Sequence, residues 1–129
     1  MLKHIKHLLE LNAYVIAISL TILIAYLSLS HPIQIDIPIK ISFLDKIFHA
    51  IAYFGLTVSW LFALRNYPKN KLVVFVLILY GLLMEFLQGW LTQDRQEDIF
   101  DVYANTFGIL LAILIFNKLF KYFIKIFDK

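Results

Sequence analysis

The stretch that decides the fold runs from Tyr80 to Ala112 and reads YGLLMEFLQGWLTQDRQEDIFDVYANTFGILLA. It contains two apolar segments joined by a short polar connection. Four polar residues lie inside or beside the apolar segments: Glu85, Asp98, Asp101 and Asn105. Ionisable side chains are costly within a membrane, and those found there usually have a function. The stretch therefore predicts two membrane helices that position a polar site.

The composition indicates an integral membrane protein with a single domain. The chain has 129 residues, of which 61% are hydrophobic and only 16% are charged, whereas soluble domains average about 25% charged residues. The formal net charge of +3 does not indicate nucleic-acid binding, because the basic residues lie at the ends of apolar runs rather than in a stripe with exposed aromatic residues. The absence of cysteine excludes disulfides and thiolate metal ligands.

Four apolar runs predict an all-α bundle of four transmembrane helices. These runs are residues 11–29, 44–64, 72–91 and 99–116, and an amphipathic basic tail, residues 117–129, follows the last of them. At about 1.5 Å per residue the first run extends about 28 Å, which is close to the roughly 30 Å hydrocarbon core of a bilayer. No small-residue cleavage site follows the first run, so we interpret it as a retained anchor rather than a signal peptide.

The distribution of basic residues predicts that both termini are cytoplasmic. Nine of the twelve Lys and Arg residues lie before the first run, between the second and third runs, or after the fourth run. Only Lys40, Lys46 and Arg95 lie at the opposite side. Because positive charge accumulates on the cytoplasmic side of membrane proteins, the two remaining connections are expected to face outward.

Polar residues recur at helical spacing on the second, third and fourth runs. On the second run, Asp45, His49 and Tyr53 follow one another at intervals of four. On the third run, Gly81, Glu85 and Gln88 share a face. The fourth run has the series Asp98, Asp101, Asn105, Gly108 and Ala112. Residues at these intervals lie on one side of a helix, so we predict that the three stripes surround a shared pocket open to the outside.

The order and spacing of these residues form one pattern over residues 45–112. It reads Asp45-Lys46-x-x-His49-x-x-x-Tyr53, Glu85-x-x-Gln88 and Arg95-x-x-Asp98-x-x-Asp101-x-x-x-Asn105-x-x-Gly108. The pattern resembles the VanZ-like family of small bacterial membrane proteins. This resemblance implies one VanZ-like domain over residues 1–129 in a bacterial cytoplasmic (inner) membrane. The namesake of the family is associated with resistance to the glycopeptide teicoplanin, so the resemblance implies a role in glycopeptide resistance or envelope homeostasis.

One hypothesis for the pocket is an enzyme that acts on a lipid headgroup or a lipid-linked wall precursor. Glu85, Asp101 and His49 would serve as general acid and base, or would ligate a divalent metal that the chemistry does not require. The ligand-binding residues would be Asp45, Lys46, Tyr53, Gln88, Arg95, Asp98 and Asn105. Lys46 and Arg95 would hold a phosphate or another anion. The sequence assigns no residue specifically as a metal ligand.

The alternative hypothesis is a module without enzymatic activity. It would bind membrane lipids, a glycopeptide antibiotic or another protein, and the polar residues would form a structural network. Asp45 and Asp98 also fit helix-capping roles at the starts of the second and fourth runs. The sequence leaves open which hypothesis is correct, and it does not predict the oligomeric state.

Overall fold

The computed structural model describes residues 1–30, 41–65, 70–92 and 98–127. In these ranges the chain forms four α-helices and no strand, so the all-α prediction is confirmed. The helices are α1 (Leu2–Leu29), α2 (Ile41–Ala63), α3 (Asn70–Leu91) and α4 (Ile99–Phe127). Each has a segment long and apolar enough to cross a membrane: Leu11–Leu29, Phe43–Ala63, Asn70–Leu91 and Ile99–Phe120.

Two helices extend well beyond the apolar runs that predicted them. α1 begins at Leu2, ahead of the run that starts at Leu11, and α4 continues without a break through most of the predicted tail to Phe127. Hydropathy detects only the part of a helix that suits hydrocarbon, whereas the backbone hydrogen bonds continue into flanking residues of good helix propensity. The basic tail is thus a continuation of α4 as far as Phe127.

α2 and α4 run parallel and make the closest helix contact in the described structure. A methyl group placed on Gly108 would collide with the backbone carbonyl oxygen of Ala50 and would lie 3.0 Å from its carbonyl carbon. Glycine therefore allows the two backbones to touch, as small residues do at many membrane helix interfaces. This contact sets the distance between the polar stripes on α2 and α4.

α1 packs across α2 and α3 through small and aromatic residues. Ala13 and Ala17 on α1 are buried against Ala63 near the end of α2. The larger core contains Leu56, Leu61, Leu77 and Ile109, which come from α2, α3 and α4. Many large apolar side chains remain on the outside; Ile22 and Leu114, for example, are 64% and 63% exposed. An apolar exterior is the surface expected of helices that face lipid.

Candidate functional site

The polar stripes of α2, α3 and α4 converge at one end of the bundle. This end is formed by the beginnings of α2 and α4 and the last turns of α3. We call the convergent residues the polar cluster: Asp45, Lys46, His49, Tyr53, Glu85, Gln88, Asp98, Asp101 and Asn105. Five members are buried, namely Tyr53, Glu85, Gln88, Asp101 and Asn105. Helical spacing places these side chains on inward faces, and the Gly108 contact brings α4 against α2.

Lys46 joins the beginnings of α2 and α4. Its Nζ donates to Asp98 Oδ2 at 2.8 Å and to Asp101 Oδ1 at 3.2 Å. Asp98 also caps α4, because its Oδ1 accepts the backbone N–H of Phe100 at 2.9 Å. The hydrogen bond from Lys46, helped by that from the Phe100 amide, lowers the pKa of Asp98 below its ordinary value of 3.8. Asp98 therefore caps the start of α4, which is the role that the alternative hypothesis gives it.

His49 lies at the centre of the polar cluster, with only 13% of its side chain exposed. Its Nδ1 is 2.9 Å from Asn105 Oδ1 and 3.7 Å from Glu85 Oε1. Since a carboxamide oxygen can only accept a hydrogen bond, Nδ1 bears a hydrogen and donates it to Asn105. The opposite ring nitrogen, Nε2, faces Asp45 Oδ2 at 3.8 Å and Asp101 Oδ2 at 3.9 Å.

Several buried polar atoms of the cluster have no hydrogen-bond partner among the described residues. They are Tyr53 Oη, Glu85 Oε2, Gln88 Oε1 and Asn105 Nδ2. Because Gly81 has no side chain, Tyr53 and Asn105 can lie close to α3. A methyl group at Gly81 would lie 3.3 Å from Tyr53 Cε1 and 3.6 Å from Asn105 Nδ2. Leaving a buried polar group unpaired costs about 1–3 kcal/mol. A group of such atoms indicates a site built to receive a polar molecule or ion.

A carboxylate inside an apolar run needs a partner, and the sequence offers Glu85 four of them, namely Lys46, His49, Gln88 and Arg95. His49 is the near neighbour, while Lys46 is bound to Asp98 and Asp101 instead. Arg95 lies outside the described residues, so its anion-binding role stays a prediction. The structure also brings together three possible metal ligands, of which His49 and Asp101 are named in the enzyme hypothesis and Asp45 takes the place of Glu85. Asp45, His49 and Asp101 each offer an atom within 4.8 Å of the others. The interval of four residues between Asp45 and His49 is the sequence feature that indicates two ligands on one face of a helix.

A cavity of about 540 Å³ lies away from the polar cluster, between α1, the second half of α2 and the first half of α3. We call it the apolar groove; its walls include Leu72, Val76 and Leu77. The sequence did not predict it, because an apolar side chain facing a groove and one facing lipid produce the same hydropathy. Three of its polar side chains are linked: Trp60 Nε1 donates to Thr21 Oγ1 at 3.0 Å, and Tyr80 Oη donates to the Thr21 carbonyl at 2.6 Å.

Comparison with known proteins shows which family has this arrangement. The sequence profile of VanZ/LLP1 matches residues 4–122, which is nearly the whole chain. The chain belongs to the VanZ/LLP1 family. An uncharacterized protein of the fission yeast Schizosaccharomyces pombe is 35% identical over 104 residues, covering 78% of this chain and 61% of the yeast protein. The chain thus spans less than two thirds of that relative. No solved structure matches this chain.

Family membership confirms the resemblance inferred from the polar pattern. The match extends beyond residues 45–112 and includes most of α1, which lies outside the polar pattern. The helix that covers α2 and α3 is therefore part of the VanZ/LLP1 unit. Family membership identifies the unit but assigns no reaction to the polar cluster.

Proposed function

We propose that this VanZ/LLP1-family protein binds the polar headgroup of a membrane lipid, or of a lipid-linked envelope precursor, in the polar cluster and hydrolyses or transfers it. The observation that supports this most strongly is the set of unpartnered buried atoms beside Glu85, His49 and Asp101. A membrane-embedded pocket with acid–base groups suits a substrate whose headgroup is polar and whose tails stay in lipid.

Glu85 is the residue to which we assign proton transfer. Its carboxylate is buried, its Oε1 lies 3.7 Å from His49 Nδ1, and its Oε2 has no partner in the described structure. In hydrolysis, Glu85 takes a proton from water while the water oxygen attacks the headgroup. The bond to the leaving oxygen breaks, and Glu85 returns the proton to that oxygen. His49 and Asp101 line the approach of the attacking oxygen.

An electrostatic requirement limits how the cluster can bind an anionic headgroup. The described members include four carboxylates, those of Asp45, Glu85, Asp98 and Asp101, and the single ammonium of Lys46. Lys46 is already paired with two of them. An anion therefore needs further positive charge, which we assign to Arg95 or to a bound cation.

The direct test uses purified protein in nanodiscs of phosphatidylethanolamine and phosphatidylglycerol, with mass spectrometry of the lipids after incubation. We expect the parent to release or exchange headgroups, and Glu85→Gln and Asp101→Asn to be slower by about 100-fold, the usual contribution of general acid–base catalysis. Phe86→Leu, on the exposed side of α3, is the matched control. A parent that leaves both lipids unchanged would contradict headgroup chemistry on these lipids.

The outward orientation of the site is a separate part of the proposal, and it is supported by the distribution of Lys and Arg. Because the chain has no cysteine, single cysteines can be placed at Gln93, between α3 and α4, and at Asn70, at the start of α3. An impermeant thiol reagent should label the first position in intact cells and not the second. The reverse pattern would place the polar cluster at the cytoplasmic side.

The cellular role we propose is envelope homeostasis, with glycopeptide resistance as its form in a bacterial host. A yeast relative favours a lipid headgroup over an antibiotic as the ligand, because yeasts have membrane lipids but no peptidoglycan. We expect expression in a bacterial host to reduce teicoplanin susceptibility, and Glu85→Gln at matched membrane levels to abolish the effect. Unchanged susceptibility with the parent would remove the resistance role and leave the lipid assay as the test of chemistry.

One observation favours a structural network as a second candidate function. The Lys46 ion pairs with Asp98 and Asp101 connect α2 to α4 and leave Lys46 poorly placed to bind substrate. If the whole cluster were structural, Glu85→Gln would lower the thermal stability of the protein in the membrane. We instead expect Glu85→Gln to fold normally and to lose turnover.

A further inference from the structure

We propose that Asp45, His49 and Asp101 form a binding site for one divalent transition-metal cation, with Glu85 beside it. The three side chains offer ligand atoms that all lie within 4.8 Å of one another. They come from α2 and α4, whose spacing is set by the Gly108 contact. The inference does not depend on the proposed function, because metal binding can be measured without a lipid substrate.

The hydrogen bond of His49 is the first observation that points to a cation. Nδ1 donates to Asn105 Oδ1 at 2.9 Å, so in the neutral imidazole Nε2 carries the lone pair and points away from Asn105. In proteins, a metal-binding histidine almost always donates its other ring N–H to an oxygen in this way. Asn105 therefore holds the imidazole in the tautomer that a metal ligand needs.

The distances around His49 Nε2 fit a shared ion better than a proton. Asp45 Oδ2 is 3.8 Å away and Asp101 Oδ2 is 3.9 Å away. Both distances exceed the roughly 2.7–3.2 Å of an N–H···O hydrogen bond, so a proton on Nε2 would bond well to neither oxygen. Ligands bound to one ion at about 2.0–2.2 Å stand roughly 3–4 Å apart, and the two distances from Nε2 fall within that range.

The number of carboxylates in the cluster also favours a cation. Asp101 uses Oδ1 to accept from Lys46 and presents Oδ2 toward His49, so the same carboxylate can pair with the ammonium and with a metal. The cluster's carboxylates outnumber its single described ammonium, and Asp101 is 95% buried. Confined negative charges repel one another strongly where water is scarce. A divalent ion would compensate most of that excess.

Glu85 provides an independent indication of a ligand. Its side chain is only 6% exposed, and its Oε2 has no hydrogen-bond partner among the described residues. Oε1 of the same carboxylate is 3.7 Å from His49 Nδ1, so Glu85 lies on the side of the imidazole opposite Nε2 and is a neighbour of the metal site rather than a ligand. One imidazole and two carboxylates suit Zn²⁺ or Mn²⁺ better than Ca²⁺ or Mg²⁺, which prefer oxygen ligands alone.

The test is direct titration of the metal-stripped, untagged full chain in detergent with Zn²⁺ and Mn²⁺, and with Mg²⁺ for comparison. Calorimetry gives affinity and stoichiometry, and the electron paramagnetic resonance spectrum of Mn²⁺ reports its coordination. We expect one tight site that prefers Zn²⁺ or Mn²⁺ to Mg²⁺ by at least 10-fold. We also expect saturating metal to raise the melting temperature.

Variants separate this site from adventitious binding. His49→Gln and Asp101→Asn should lose the tight site. Asp45→Asn, whose side chain is 42% exposed and which should fold normally, should weaken it at least 10-fold. His4 and His7, exposed on α1, offer a surface pair, so a His4→Gln/His7→Gln double variant should keep the tight site. A parent without stoichiometric binding, or binding unchanged by Asp45→Asn and His49→Gln, would overturn the proposal.

Discussion

The polar cluster, between α2, α3 and α4, and the apolar groove, between α1, α2 and α3, differ in whether their polar atoms have hydrogen-bond partners. In the groove, the hydroxyl of Thr21, the indole N–H of Trp60 and the hydroxyl of Tyr80 all have hydrogen-bond partners. In the polar cluster, buried atoms of Glu85 and Asn105 have none among the described residues. These polar groups of the groove satisfy one another, whereas the cluster retains buried atoms without a partner, which is why we propose that it binds a polar molecule or ion.

Two tyrosines show the difference at the closest approach of the two regions. The rings of Tyr53 and Tyr80 have centroids 6.1 Å apart. Tyr80 belongs to the groove and donates to the Thr21 carbonyl at 2.6 Å, whereas the buried hydroxyl of Tyr53 lacks a partner in the described structure. Residue type and depth are therefore poor guides to function in this bundle. Whether the hydrogen bonds of a buried group are satisfied is the better guide.

The largest change expected from one substitution is at the contact that assembles the polar cluster. Gly108→Ala places a methyl group against the Ala50 carbonyl, which cannot move without bending α2. We expect the free energy of unfolding in detergent to fall by about 2–3 kcal/mol, the cost of overpacking. Gly55→Ala is the control, because a methyl group at Gly55 meets nothing within 4 Å. Equal effects of the two variants would mean that α2 and α4 are not held at this distance.

A smaller effect should separate the two tyrosine hydroxyls. Tyr80→Phe removes a hydrogen bond in the groove and should lower the free energy of unfolding by about 1 kcal/mol. Tyr53→Phe removes a buried hydroxyl that has no partner in the described structure, so the unfolding free energy should be unchanged or slightly higher. Thermal or denaturant unfolding of both variants provides the measurement. A larger loss from Tyr53→Phe than from Tyr80→Phe would remove the distinction between the two regions.

The smallest expected effect concerns pH and the Lys46–Asp98 pair at the exposed edge of the cluster. The pKa of Asp98 is lower in the folded protein than its ordinary value of 3.8. The pair therefore stabilises the fold fully above about pH 4 and ceases to do so as the pH falls through the folded pKa. Because 38% of the Asp98 side chain is exposed, solvent screening limits the effect to about 0.5 kcal/mol.

That pH dependence is measured as the difference in unfolding free energy between the parent and Asp98→Asn. The difference should be constant from pH 5 to pH 7 and should shrink below about pH 4, where the parent carboxylate becomes protonated. A difference that grew on acidification would mean that the pKa of Asp98 is raised rather than lowered.

The helices and the three polar stripes could be predicted from the sequence, because helical periodicity places Asp45 with His49 and Asp101 with Asn105 on common faces. That those faces meet could be predicted as well, but which side chains pair could not. The sequence offered four possible partners for Glu85. His49 is the one that lies beside it, because α2 and α4 run parallel and Lys46 is already paired with Asp98 and Asp101. The apolar groove was also beyond reach, since Leu72 and Val76 have the same hydropathy against a cavity as against lipid.

The most direct test of the central claim compares one variant from each region in the nanodisc assay of headgroup turnover. We expect Glu85→Gln to keep the parent's melting temperature and to lose turnover by about 100-fold. Tyr80→Phe should melt at a lower temperature and keep its turnover. If Tyr80→Phe abolishes turnover while Glu85→Gln retains it, the apolar groove rather than the polar cluster is the functional site, and the account is wrong.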